Sequence, residues 1–145
     1  LTGFKPLEKN LWCRPDNLKE TADTTFSRLL QIGLEKNAIL MKVDHFNHAL
    51  STQPKSLWAP KELNKTYELL VLLLEKSAQR LRQFAVKKAT RESFLIGEYV
   101  IRQINQDPLL PEEMVNTSAR QTLLTTMIEY DRICHPIWHE FVNQS

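Results

Sequence analysis

Two prolines near the C-terminus constrain the fold of this chain more than any other feature. They bracket a leucine pair in the run DPLLPEEM, residues 107–114. Proline fixes its own φ and disfavours the helical region for the residue before it, so Pro108 predicts that a helix ends at Asp107. Pro111 can open a new helix, with Glu112 in a first turn whose exposed amides favour carboxylates. The run therefore predicts a corner between two helical segments.

Apolar residues recur at helical spacing well before this corner. Pro60 can occupy the first turn of a helix that runs to about Phe84. The buried stripe of this helix is predicted at Leu63, Tyr67, Leu70, Leu74, Ala78 and Leu81. Leu69, Leu72 and Leu73 widen the stripe, which is typical of a helix at the centre of a bundle.

Two further helices are predicted on either side of the corner. Thr90 can cap the first of them. Its residues spaced for burial are Phe94, Gly97, Ile101 and Ile104. Ser118 and Gln121 stand at capping-box spacing and predict the start of the last helix. Pro136 removes one backbone hydrogen bond and is expected to kink that helix near Arg132.

The first fifty residues predict a hairpin, a helix and a strand. Phe4–Leu7 and Leu11–Arg14 flank a polar turn of hairpin length. A helix that starts at residue 16 or 17 is expected to bury one face and to end at Gly33, which can adopt the left-handed conformation. The apolar run Ala38–Val43 is bounded by polar residues and predicts a buried strand.

Composition and charge exclude several classes of protein. The chain is 42% hydrophobic and 25% charged, which is typical of a globular protein, and its net charge of +2 is too small to predict DNA binding by this chain alone. The two cysteines are far apart and no signal-peptide or membrane-span pattern occurs, so we expect reduced thiols, a cytoplasmic location and no membrane. The polar stretch 51–56 predicts a boundary between residues 1–50 and residues 57–145. The predicted fold class is α+β, mostly α.

The histidines are the residues most suggestive of metal binding. His45 and His48 are three apart, and His135 and His139 are four apart, spacings that zinc sites use. Nothing in the sequence brings the two pairs together and no CxxC motif occurs, so a metal site is the weaker alternative. Cys134 falls on an apolar stripe and is expected in the core. Without a nucleophile motif or a phosphate-binding glycine loop, the sequence predicts neither an enzyme nor a resident cofactor.

The proline corner resembles that of a known family. The run at 107–114, followed by ARQ at 119–121, is similar to the "DPxLPEELLP…AR" corner of the PaaX family, the repressors of the phenylacetic acid degradation operon. Further stretches agree with the family in the same order: GFKPL at 3–7 with LWCRP at 11–15, LW at 57–58 with LNKTY at 63–67, and residues 91–102. The family usually has a Leu-Pro pair and a Trp-x-Gly element before its Ala-Arg pair, whereas here only residues 115–118 intervene.

This resemblance implies an architecture and a function. PaaX-like proteins carry an N-terminal winged helix, a ferredoxin-like (Cas2-like) middle domain and a helical C-terminal domain. We therefore expect a fragment, in which residues 1–50 are a ferredoxin-like remnant without its first strand and residues 57–145 are the helical domain. Either Ala38–Val43 pairs directly with Leu11–Arg14, or another chain fills the gap in the sheet.

The implied protein is a homodimeric repressor of aromatic catabolism. It would reach DNA only through a winged helix absent from this chain, and an aryl-CoA thioester such as phenylacetyl-CoA would release it. The alternative is a helical protein–protein interaction module with no small-molecule ligand.

Basic residues are the candidates for binding such an effector. The junction of two predicted helices carries Arg80, Arg82, Lys87, Lys88 and Arg91. These cations can hold the phosphates of a CoA group, or they form a solvated face near a helix C-terminus. Arg102 and Arg120 flank the corner and either pair with its carboxylates or meet a ligand. The tryptophans Trp12, Trp58 and Trp138 are expected as core anchors.

Overall fold

The computed structural model describes residues 3–17, 19–44 and 57–144. The chain divides into two compact units, Leu1–Leu57 and Trp58–Ser145. In the described ranges the first unit holds a two-stranded antiparallel sheet and one helix, and the second holds three long helices. This architecture is α+β and mostly α, as predicted. The predicted boundary at 51–56 lies outside the described residues.

The predicted hairpin is confirmed. Strands β1 (Lys5–Glu8) and β2 (Leu11–Cys13) pair in antiparallel fashion, with Pro6 opposite Trp12. Asn10 closes the turn with a φ of 64°, a left-handed conformation that asparagine tolerates better than most residues.

Helix α1 (Ala22–Gln31) starts later than predicted. The side chain of Thr21 accepts a hydrogen bond from the Thr24 amide at 3.2 Å and caps the helix. The prediction of a start at residue 16 or 17 is wrong, because the Asp16 carboxylate instead forms an ion pair with Lys42 at 2.7 Å.

The end of α1 confirms the predicted role of Gly33. Its φ is +103°, and the amide of Leu34 donates to the carbonyl of Leu29 at 2.9 Å while that of Gly33 donates to Leu30 at 3.1 Å. These two bonds make a Schellman motif, which satisfies carbonyls that the last turn of a helix leaves free.

The predicted strand at Ala38–Val43 is wrong. Residues 38–44 have no regular secondary structure, and Ile39, Met41 and Val43 are exposed. A run of apolar residues forms a strand only where a neighbour supplies backbone hydrogen bonds, and in the described part of this unit the sheet ends at β1 and β2. Of the two predicted alternatives for the sheet, direct pairing of this run with Leu11–Arg14 is therefore not present.

Helix α2 (Pro60–Leu81) matches its prediction at the start and along the buried stripe. Pro60 occupies the first turn after Ala59, and the buried residues Tyr67, Leu70, Leu74 and Leu81 belong to the predicted stripe. The predicted widening of that stripe is wrong for Leu69 and Leu72, which are exposed.

Helix α3 (Val86–Asn105) is rotated relative to its prediction. Thr90 does not cap it but lies buried inside it, and its hydroxyl donates to the carbonyl of Val86 at 2.9 Å. The buried residues are Ala89, Thr90, Ser93, Gly97 and Val100. Phe94 and Ile101, predicted to be buried, are exposed, because the small and hydroxyl-bearing residues of α3 form the face that packs against its neighbours.

Helix α4 (Thr117–Asn143) completes a three-helix bundle and continues through Pro136. The Tyr67 hydroxyl, near the start of α2, meets Asp107 just after α3, so these two helices are antiparallel. The Asn116 amide, at the start of α4, donates to the side chain of Asn64 on α2 at 2.9 Å, so α4 runs parallel to α2. The core includes Tyr67, Leu70, Leu74, Leu81, Ala89, Val100, Leu123, Tyr130 and Cys134.

Candidate functional site

The proline corner is held together by the carboxylate of Asp107, whose side chain is only 6% exposed. One of its oxygens accepts from the Tyr67 hydroxyl at 2.9 Å, and the other accepts from the Leu109 amide at 2.8 Å. Desolvation by burial and the hydrogen bond to this carboxylate both raise the pKa of Tyr67. Helix α3 ends at Asn105, two residues before the end that the prolines predicted at Asp107. Asp107 thus joins the corner to α2.

Arg120 supplies the third part of the corner. Its guanidinium donates to the carbonyl of Leu110 at 3.0 Å and lies 4.0 Å from the Asp107 carboxylate. Leu110 is fully buried, while Leu109 has a φ of 52°, which is uncommon for a residue with a side chain. The structural role predicted as one option for Arg120 is therefore present. Arg102, the other predicted partner of the corner, pairs with Glu98 on its own helix instead.

Pro111 opens a single turn rather than a helix. Its carbonyl accepts from the amides of Met114 at 3.0 Å and Val115 at 3.2 Å, and the chain then leaves helical geometry. The predicted helix start at Pro111 is wrong, because Val115 is buried and the residue after it is extended. Glu112 is exposed in this turn.

The predicted capping box of the last helix is also wrong. The side chain of Asn116 accepts from the Ala119 amide at 3.1 Å and caps α4. Ser118 therefore lies within the first turn, and Gln121 is exposed further along the helix. Asparagine and serine are similarly good caps, so capping preference does not choose between Asn116 and Ser118. Asn116 is the cap because the preceding residue, Val115, is buried.

A second polar cluster lies in the middle of the bundle. The Tyr130 hydroxyl is 2.8 Å from that of Ser77, which donates to Glu92 at 3.1 Å. Arg80 donates to the same carboxylate oxygen at 2.7 Å. Desolvation by burial, opposed by the hydrogen bond with Ser77, raises the pKa of Tyr130 to about 12. Apolar spacing does not predict this network, although Ser77 on the buried side of α2 is a signal for it, since buried hydroxyls need partners.

The five cations predicted at the α2–α3 junction have different surroundings. Arg80 is tied to Glu92, and the Lys88 ammonium lies 3.8 Å from the centre of the Phe84 ring. The other three, Arg82, Lys87 and Arg91, are exposed, and none forms an ion pair with a carboxylate in the described ranges. Two of the five cations therefore contact a neighbouring side chain, and the other three are solvated.

A cavity of about 180 Å³ adjoins the corner. Tyr67 and Leu70 of α2, Ile104 and Asp107 at the end of α3, and Leu123 of α4 are among its lining residues. Ligand pockets for drug-sized molecules have volumes of roughly 300–1,000 Å³, so an aryl-CoA thioester exceeds this cavity. The charged side chain that lines the cavity is the carboxylate of Asp107, which would repel the phosphates of such a ligand.

The described histidines are exposed, whereas Cys13 is partly buried and Cys134 is buried. The rings of His135 and His139 have centroids 4.5 Å apart on the exposed side of α4, and His45 and His48 lie outside the described residues. No group of three possible metal ligands occurs in the ranges that are described. Cys134 is buried as predicted, and desolvation raises the pKa of its thiol; Cys13 is also a free thiol.

The tryptophans occupy three different environments. Trp58 is buried, as predicted. Trp12 is exposed on the hairpin, and Trp138 is partly exposed on α4, so the core role predicted for these two is wrong. The Trp138 ring makes an edge-to-face contact with Phe94 of α3, with centroids 6.2 Å apart. This aromatic pair bridges α3 and α4 at the surface of the bundle.

Comparisons with family models, curated proteins and solved structures find no match to this chain. In the described ranges, none of the helices combines the length and the apolar character needed to cross a membrane.

Proposed function

We propose that the chain is the regulatory portion of a PaaX-like transcriptional repressor of aromatic catabolism, acting in the cytoplasm, with Trp58–Ser145 as its dimerising helical domain. The hairpin and α1 would be the remnant of the ferredoxin-like domain. The residues that carry the resemblance support this proposal, because Asp107, Leu110 and Arg120 are tied together by the hydrogen bonds of the corner. DNA binding would belong to a winged helix outside this chain.

The observation that carries the dimer is an apolar surface across two helices. It consists of Phe94 and Ile101 on α3 and Ile128, Trp138 and Val142 on α4, and all five are exposed. Phe94 and Ile101 are seven residues apart, a spacing that places both on the same face of α3. The contact between Phe94 and Trp138 joins that face to α4. We name these five residues the α3–α4 face. Exposed apolar side chains on neighbouring helices are a feature of interaction sites, and the resemblance to a homodimeric family supplies a second copy as the occupant.

Sedimentation velocity over a range of concentrations tests this dimer. We expect the wild-type chain to pass from monomer to dimer as concentration rises, and Phe94→Glu to weaken association by at least about tenfold, because a charge would then be buried in an apolar contact. Leu72→Glu is the matched control, since Leu72 is comparably exposed on α2. A chain that stays monomeric, or one that loses association equally in both variants, would contradict the proposal.

A second candidate function is binding of an aryl-CoA effector at the α2–α3 junction. The specific observation in its favour is the group of exposed cations Arg82, Lys87 and Arg91, which can contact phosphates. Isothermal titration calorimetry with phenylacetyl-CoA tests it. Binding that is lost in a triple alanine variant of these residues supports effector binding, and the absence of heat with the ester contradicts a site contained in this chain.

A further inference from the structure

The surface between α2 and α3 forms an apolar groove that neither the corner nor the α3–α4 face uses. The Arg80–Glu92 ion pair, at 2.6 Å, marks where the two helices meet. On α2, Leu73 and Leu69 lie seven and eleven residues before Arg80, so they follow the same line along the helix. On α3, Ile96 and Tyr99 lie four and seven residues after Glu92 and follow the matching line. Because the helices are antiparallel, these two lines face each other.

The groove is lined by six apolar residues: Leu69, Leu72 and Leu73 on α2, and Leu95, Ile96 and Tyr99 on α3. The side chains of Leu73 and Ile96 are partly buried and form its floor. The walls remain open to solvent, with exposed fractions of 65% for Leu69, 49% for Leu72, 51% for Leu95 and 48% for Tyr99. We call these six residues the α2–α3 groove. From Leu69 to Arg80 it extends about 16 Å, the length of roughly three helical turns.

Lysines accompany the leucines of this groove. Lys76 lies seven residues after Leu69, and Lys65 lies seven residues before Leu72, so both share the walls with these leucines. Both lysines are exposed, and neither forms an ion pair with a carboxylate in the described part of the chain. Glu62, seven residues before Leu69, lies on the same line about one turn before Lys65. The acidic side chains of Glu68 and Glu75 lie beyond Leu72, on the side of α2 turned away from α3.

The third wall lysine is Lys88, seven residues before Leu95 on α3. Its ammonium is held over the Phe84 ring, which keeps a positive charge at this end of the groove. An apolar floor with lysines on both walls complements a helix that has leucine-type residues on one face and carboxylates beside them.

The same charges disfavour a second copy of this chain in the groove. Lys65 lies four residues before Leu69, and Lys76 lies four residues after Leu72. A two-fold axis through the centre of this leucine pair would place Lys65 of each copy against Lys76 of the other. Two such contacts between like charges oppose self-association.

We propose that the α2–α3 groove binds an acidic amphipathic helix of a partner protein, about three turns long, whose apolar face contacts the groove and whose carboxylates pair with Lys65 and Lys76. This site is separate from the dimer of the proposed function. The partner would be recognised by helical spacing of its leucines and by negative charge on both sides of them.

Fluorescence anisotropy with two synthetic peptides tests the inference on the intact chain. Both labelled peptides are helical, about 14 residues long and leucine-rich on one face; one has glutamates beside the leucines and the other has lysines. We expect the acidic peptide to bind at least about tenfold more tightly than the basic peptide at low salt, with a smaller difference at high salt. The double variant Lys65→Glu/Lys76→Glu should reverse this preference.

Two single variants locate the binding surface. Leu72→Glu should abolish binding of the acidic peptide, while Phe94→Glu, on the α3–α4 face, should leave it unchanged. Both side chains are exposed, so far-UV circular dichroism is expected to show the wild-type helix content in each variant. The inference is overturned if neither peptide saturates, if the charge reversal leaves the preference as it was, or if Phe94→Glu rather than Leu72→Glu abolishes binding. A dimer that Leu72→Glu dissociates and Phe94→Glu does not would also overturn it, because the groove would then hold a second copy.

Discussion

The two polar clusters of the helical unit differ in how they are built. At the corner, Asp107 contacts Leu109 two residues on, and Arg120 contacts Leu110 ten residues before it, and both contacts involve the backbone. The bond from Tyr67 comes from 40 residues away. The mid-bundle network links side chains from three helices, and Ser77 and Tyr130 are 53 residues apart. The corner also contains a carboxylate more buried than Glu92, which is 22% exposed. This difference predicts that the corner depends on a charge, whereas the network depends on hydroxyl groups.

Removing the charge at the corner should have the largest effect. Asp107→Ala removes the carboxylate that accepts hydrogen bonds from the Tyr67 hydroxyl and the Leu109 amide. It also leaves the partly buried Arg120 guanidinium without its neighbouring negative charge. We expect the free energy of unfolding to fall by about 2–4 kcal/mol. Urea denaturation followed by far-UV circular dichroism measures it. Asp107→Asn keeps an acceptor but removes the charge, so it should lose most of the same stability. An asparagine variant nearly as stable as the wild type would show that the charge is not what matters.

Much of the corner could be predicted from sequence, because its causes are local. The prolines exclude helical geometry before Pro108, and Gly33 similarly reveals the end of α1. The starts of helices were less accessible: Thr90 and Ser118 are good capping residues, yet the caps are Ala85 and Asn116. The presence of a good capping residue indicates only that a helix can begin at that position. Burial of neighbouring side chains decides where it does begin.

The network and the buried face of α3 could not be predicted in the same way. Apolar spacing predicts Phe94 and Ile101 in the core, whereas α3 buries Thr90, Ser93 and Gly97. Small and hydroxyl-bearing residues face the other helices because they allow close approach and bond to carbonyls of their own helix, as Ser93 does with Thr90 at 2.8 Å. Which partners the hydroxyls find depends on the packing of three helices, and spacing within one helix does not contain that information.

Breaking the mid-bundle network should cost less than breaking the corner. Ser77→Ala removes the hydroxyl that bonds to both Tyr130 and Glu92, and we expect a loss of about 1–3 kcal/mol in the free energy of unfolding. Tyr130→Phe should cost less, because Ser77 keeps its bond to Glu92. Combining the two substitutions should cost less than the sum of the single effects, and strict additivity in this double-mutant cycle would show that the two hydroxyls do not interact.

Both clusters predict a loss of stability in alkaline solution. The pKa of Tyr67 and that of Tyr130 are raised above the unfolded value of 10. The folded chain therefore holds these protons more tightly than the unfolded chain, so stability is full below pH 10 and falls as pH rises toward 12. The slope should be on the order of 1 kcal/mol per pH unit. Urea midpoints measured between pH 9 and 12, in the range where this linkage acts, should fall less steeply in Tyr130→Phe than in the wild-type chain, and an unchanged slope in that variant would contradict the prediction.

The smallest effect is expected at Gly97, where α3 packs against α4. Gly97 is buried there, and a Cβ at this position would lie 3.9 Å from the terminal methyl of Met127, an ordinary van der Waals distance. Gly97→Ala should therefore raise the free energy of unfolding by about 0.5–1 kcal/mol, because alanine loses less backbone entropy in a helix. Gly97→Val, with two more methyl groups directed at Met127, should remove this gain. If alanine destabilises the chain, α3 and α4 lie too close at Gly97 to admit a methyl group. An apolar contact between helices would then be as sensitive to substitution as the charged corner.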